Sequence, residues 1–131
     1  MPVTYIIDHS QRTVFTSVKG TVTVEEMKEY LINLGKDISF NPSYANLTDF
    51  TNTTPFDAKG SDIQDLARLT PFGTGSRRAF VVDQQLHYGF SRMAQVFEES
   101  KNVQIKIFTK YSEALEWLGV HEPDSIERGK L

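Results

Sequence analysis

Apolar positions along this chain switch period repeatedly between two residues and about three and a half, as expected for strands that alternate with helices. A strand is predicted over 3–8 and a second over 12–19, separated by the polar turn His9-Ser10-Gln11. This spacing makes a hairpin in which Val14, Thr16 and Val18 share one side, ended by Gly20. Thr23 followed by Glu26 forms a capping box, which supplies partners for two orphan N–H groups at a helix start. Val24, Met27, Leu31 and Leu34 then recur at spacings of three, four and three, a single apolar stripe that Gly35 closes.

Asn41-Pro42-Ser43 is a turn, and 44–51 is the third strand. Ser61 with Gln64 makes a second capping box, and Ile63, Leu66, Ala67 and Thr70 form the next helical face, which Pro71 stops. The fourth strand, 77–83, carries Ala79-Phe80-Val81-Val82, a continuous apolar run of the kind buried on both faces of a parallel sheet. Leu86, Phe90, Met93, Ala94 and Phe97 line a third helix. In the fifth strand, 103–109, Val103, Ile105 and Ile107 alternate with Gln104, Lys106 and Phe108. A last helix holds Ala114, Leu115, Trp117 and Leu118, with Gly119 as its cap.

The predicted order is ββαβαβαβα, an α/β fold with a mixed, mostly parallel five-stranded sheet and four helices. Its one antiparallel edge comes from the opening hairpin. Residues 1–119 are expected to form a single domain, and 120–131, with Pro123, Gly129 and mixed charge, a poorly ordered tail.

Composition narrows the partners. Fourteen Lys and Arg against 17 Asp and Glu give a net charge of −3, which argues against a nucleic-acid backbone as partner. Arg77-Arg78, an adjacent basic pair, runs into an apolar stretch and makes no patch. With no cysteine there is no disulfide, thiolate nucleophile or Cys-ligated zinc. His9, His87 and His121 have no metal-ligand spacing, so no metal and no cofactor are expected. No apolar run approaches the roughly 20 residues of a membrane span. Met1-Pro2-Val3-Thr4 does not open a secretory signal, and the expected location is the cytoplasm.

Several short stretches, in this order and spacing, resemble one family. They are Gly20-Thr21-Val22-Thr23, Leu47-Thr48-Asp49-Phe50, Arg78-Ala79-Phe80-Val81-Val82, Tyr88-Gly89 followed by Arg92-Met93, and Glu113-Ala114-Leu115-Glu116-Trp117-Leu118-Gly119. From Tyr5 to Gly119 the chain resembles the small bacterial STAS-like proteins, also called SpoIIAA-like or STAS/SEC14-domain proteins. The resemblance implies a SpoIIAA-like sheet topology and a non-enzymatic regulatory or ligand-binding role. Founding members are anti-sigma-factor antagonists switched by phosphorylation of a serine at a helix start. Their pattern is Asp-Leu-Ser, then Asp-Ser-Ser-Gly six residues beyond that serine. Asp49-Phe50-Thr51 matches the first half, and Asp57-Ala58-Lys59-Gly60 stands where the second belongs, with both serines replaced. A displaced switch would use Ser61, the expected N-cap, or Thr51, because a phosphate at a helix start gains from the dipole. The SEC14 label implies an apolar, lipid-like ligand, although this chain lacks the extra helices of that longer domain.

In a parallel sheet, ligands bind beyond the carboxyl ends of the strands. Residues 49–60, 83–89 and 109–112 lie there, and Asp49, Thr51, Phe56, Asp83, Tyr88 and Arg92 are the expected binding residues. The expected occupant is a protein partner or a small apolar ligand. An enzyme using an Asp83/His87 dyad is the alternative, four residues apart being within reach of acid–base work, though Asp83 also suits a helix N-cap. Gly73-Thr74-Gly75-Ser76 precedes a strand, so it is a connection and not a phosphate cradle. Gly89 inside a helix costs about 1 kcal/mol relative to Ala, which calls either for close approach to the sheet or for room beside Tyr88. An exposed edge strand leaves homodimerisation open.

Overall fold

The computed structural model describes residues 2–54, 58–101 and 103–123. Its elements are β1 (Val3–Asp8), β2 (Thr13–Thr21), α1 (Val24–Lys36), β3 (Ala45–Thr54), α2 (Gly60–Leu69), β4 (Arg77–Val81), a 3₁₀ turn (Gln84–Leu86), α3 (His87–Lys101), β5 (Gln104–Phe108) and α4 (Tyr111–Leu118). The strands lie side by side in sequence order. β1 is antiparallel to β2, and every later pairing is parallel. The expected α/β class, element order and mixed five-stranded sheet are all present.

This strand order decides the layering. Crossovers between parallel strands share one hand, and each of the three here steps one strand in the same direction. Helices α1, α2 and α3 therefore land on one face of the sheet. There Leu31, Leu34, Leu66, Phe90 and Phe97 pack with Val14, Val18, Phe50, Phe80 and Ile105 in one buried cluster. Helix α4 follows β5, the last strand among the described residues, and it folds onto the opposite face. Ala114, Leu115 and Trp117 meet Phe15, Leu47, Ala79, Val81 and Phe108 there. Phe108, grouped with the polar alternates of its strand, is thus buried, because β5 has apolar neighbours on both sides.

Several predicted boundaries move. β2 does not end at Gly20: a bulge between Ser17 and Lys19 lets it run on, pairing Lys19 with Asn52, Gly20 with Thr53 and Thr21 with Thr54. That pairing, with the Thr53 hydroxyl donating to the Val18 carbonyl at 2.9 Å, carries β3 three residues past the predicted end. Gly35 does not close α1 either. The helix continues to Lys36, and a Cβ at position 35 would lie 3.3 Å from the Pro71 Cβ, so this glycine permits close packing. The first capping box forms as read, with Glu26 N–H donating to Thr23 Oγ1 at 3.1 Å and Thr23 N–H to Glu26 Oε1 at 2.9 Å. The second does not. Helix α2 begins two residues early, with Lys59 and not Ser61 at the N-cap, and Asp62 accepts the Lys59 N–H at 3.0 Å, which leaves Ser61 inside the first turn. Residues 120–123, assigned to the tail, are tied to the hairpin: His121 and Gln11 exchange hydrogen bonds at 2.7 and 2.8 Å, and Pro123 is buried.

A polar chain crosses the three-helix core. Asn46 stands in register with Val14 on β2 and with Arg78 on β4. Its amide donates to the Val14 carbonyl at 3.0 Å and to Thr16 Oγ1 at 3.3 Å, and Thr16 Oγ1 lies 2.7 Å from the Tyr30 hydroxyl. Asn46 Oδ1 accepts from Thr48 Oγ1 at 2.9 Å and from Arg78 Nε at 3.1 Å. Arg78 is 3% exposed. Among the described residues no carboxylate pairs with it. Its guanidinium lies 4.5 Å from the Phe72 ring centre and 5.0 Å from that of Phe80, and it reaches Thr70 Oγ1 at 3.4 Å, at the carboxyl end of α2. Ring faces and a helix C-terminus both favour a cation, and together they stand in for the missing counter-ion. Burial pushes this guanidinium down to about 10, still charged at neutral pH.

Arg78→Ala is expected to cost about 3 kcal/mol, since it leaves a cavity and removes a donor from Asn46. Arg78→Met keeps the bulk without the charge and is expected to cost about 1 kcal/mol or less. Urea unfolding of both variants measures this. Equal losses would mean that the guanidinium's bonds, and not its volume, hold the core.

Candidate functional site

The carboxyl ends of β3 and β4 open between α2 and α3. A cleft of about 470 Å³ lies there, within the range of roughly 300–1,000 Å³ typical of small-molecule sites. Ile63 on α2 and Leu86, Phe90, Met93 and Val96 on the 3₁₀ turn and α3 form its apolar wall. The helical period places them there. Phe90, Met93 and Phe97 recur along the stripe that faces the sheet, and Leu86 and Met93 lie only partly buried at its margin. Phe90 in turn packs on Phe50 with ring centres 4.6 Å apart and ring planes inclined at 46°, which fixes the floor against β3.

At the rim, Tyr88 is 71% exposed. Arg92, one helical turn on, donates from Nη1 to the Tyr88 hydroxyl at 2.9 Å, with its guanidinium 5.8 Å from the ring centre. Gly89 also lines the cleft, and a Cβ built there would have no atom within 4 Å. Close approach to the sheet is therefore not why a glycine stands at this position. The open space beside Tyr88 remains.

The expected binding residues do not converge. Arg92 lines this cleft, and Tyr88 reaches it only through its hydrogen bond with Arg92. Asp49 and Thr51 point through the other face of the sheet, as strand alternation requires once Phe50 faces the three helices. Asp49 Oδ1 accepts the Thr51 N–H at 2.9 Å and the Thr51 hydroxyl at 2.6 Å. Asp49 also lines a second cleft of about 820 Å³ on the α4 face, with Thr4, Ile6, Phe15, Ser17 and Lys19. Phe56 lies outside the described residues. Asp83 does precede a helical turn, yet only its carbonyl takes part, accepting the Leu86 N–H at 2.9 Å. The Asp83/His87 dyad of the alternative reading does not form: no hydrogen bond or ion pair joins the two, and His87 Nδ1 faces Ser91 Oγ at 3.4 Å. A turn that starts at residue 84 runs straight into α3, so the four-residue spacing never folds back on itself. Ser61, the candidate modification site, is exposed in the first turn of α2.

Sequence reasoning missed Ile63, Leu86, Phe90, Met93 and Val96 as cleft residues, although all but Val96 had been placed on the apolar faces of their helices. What exposes them is the divergence of α2 from α3, which no periodicity reports. Among the described residues no three His, Asp or Glu side chains group as metal ligands, and no helix is long and apolar enough to cross a membrane.

Comparison with known proteins gives a fold. No family model matches the chain, and no curated protein does. Among solved structures, an uncharacterised DUF3478-family protein with a SpoIIAA-like fold from Shewanella loihica PV-4 is similar, at a TM-score of 0.58 and 20% identity. The match covers 88% of this chain and 93% of that one. The fold is SpoIIAA-like, as the resemblance in the sequence implied.

Because nothing lies near a Cβ at position 89, Gly89→Ala is expected to gain about 1 kcal/mol of stability from helix propensity alone. Thermal or urea unfolding checks this. A loss of stability would mean that the site needs its glycine for the backbone.

Proposed function

We propose that the chain is a non-enzymatic binding module whose α2–α3 cleft takes a small apolar ligand. The observation that carries this reading is the placement of an apolar concavity at the carboxyl ends of two parallel strands, where crossover helices diverge. Burying the side chains of Ile63, Leu86, Met93 and Val96 under a ligand would stabilise the complex by removing apolar surface from water. The chemistry at the rim suits binding: Arg92, with the Tyr88 hydroxyl hydrogen-bonded to it, can orient a bound group.

A neutral apolar dye such as Nile red, titrated into labelled protein, is expected to shift amides of Ile63, Phe90, Met93 and Val96. Gly89→Trp, which fills the open space, is expected to weaken it about tenfold. Shifts confined to Ile6, Phe15 and Leu47 would move the site to the α4 face and end this reading.

A second reading, a regulator switched by phosphorylation, is favoured by one observation. The Ser61 hydroxyl is exposed in the first turn of α2, where a phosphate meets the positive end of the helix. Thr51 fits less well, since its hydroxyl already donates to the Asp49 carboxylate, whose charge would repel a phosphate. Intact-mass measurement of protein from the native host is expected to find a single added phosphate, lost in Ser61→Ala. Modification that persists in Ser61→Ala would dismiss Ser61 as the switch.

A further inference from the structure

Resting on the cleft reading above, we infer that the occupant is a free amphiphile with one negative charge, a monocarboxylate on an unbranched apolar chain, its anion held by Arg92. Among the described residues that line the cleft, Arg92 is the one with a charged side chain; the rest are apolar, amide, hydroxyl or glycine. Among the described residues no carboxylate pairs with Arg92. Arg92 is exposed, and its hydrogen bond goes to a neutral phenol. On α2, the opposite wall, Asp62 is engaged by the Lys59 N–H, and Asp65 by Lys28 and Arg68. The first turn of α3 holds no acidic side chain.

A wholly apolar ligand would leave this cation idle at the rim, and a cationic one would meet repulsion. A carboxylate answers it. The planar guanidinium presents paired donors that match a carboxylate's two oxygens, and the Tyr88 hydroxyl beside it adds a further donor. The apolar chain then lies along Ile63, Leu86, Met93 and Val96, away from water. One guanidinium with no second cation in the lining fits a single charge and not a dianionic phosphate.

The test compares decanoate with decanol, equal in chain length and both below their aggregation concentrations, by amide-shift titration of the whole chain. Both are expected to shift Ile63, Met93 and Val96, with decanol binding roughly fivefold more weakly, the effect of one partly exposed charge pair. Arg92→Gln is expected to abolish the difference, and Arg92→Lys to keep part of it, with melting temperatures unchanged for both. Equal affinities in the unmodified protein, or a difference that survives Arg92→Gln, would overturn the anion and leave the cleft reading standing. No response of those amides to either compound would end both. Arg92-dependent sedimentation with phosphatidylglycerol vesicles, without a response to decanoate, would make Arg92 a membrane contact and overturn the inference.

Discussion

The hydrogen-bond chain from Tyr30 through Thr16 and Asn46 to Arg78 constrains the rest of this molecule. It joins α1, β2, β3 and β4, and through Thr70 it reaches the end of α2. A buried polar group that loses its partner costs about 1–3 kcal/mol. A slip of one residue in β3 or β4 would move Asn46 or Arg78 to the wrong face and break several of these bonds at once. The same slip would carry every apolar side chain of the strand to the opposite face, so the polar members of the core add to the register that the hydrophobic pattern sets. Among the described residues every buried side-chain nitrogen and oxygen has a partner, so the network holds without a deficit.

Arg77 and Arg78 illustrate how strand parity divides labour. Neighbours in sequence, they leave β4 through opposite faces. Arg78 enters the three-helix core and reaches the end of α2. Arg77 lies 4.2 Å from the Trp117 ring centre and donates to the Trp117 carbonyl at the end of α4. Each cation thus meets an aromatic face and a helix C-terminus, two environments that favour positive charge. The pair is part of the architecture and not of a basic surface, which is why no basic patch appears around it.

The three-plus-one layering also locates the binding surface. Three crossover helices share a face, and α2 and α3 part where their strands end, which opens the apolar cleft. The other face has only α4, which covers β3, β4 and β5 and leaves Thr4, Ile6 and Ser17 lining a wider depression. One fold therefore presents two unlike concavities. The first has an apolar wall and one cation at its rim, whereas the second mixes hydroxyls with Lys19 and Asp49.

The sequence by itself determined the elements, because hydrophobic period, capping residues and Pro71 act over a few residues and need no distant partner. Thr23 capped its helix as read, and the 79–82 run was buried on both sides as its continuity required. Alternation along β4 places Arg78 on the same side as Phe80 and Val82, in the core under the three helices. What tertiary structure alone decided was which loops and faces meet. The bulge in β2 goes with a β3 that runs three residues into the loop expected after it, and strand parity sent Asp49 and Thr51 away from Tyr88 and Arg92. Those outcomes depend on pairing and helix divergence across the whole sheet, and no local window contains that information.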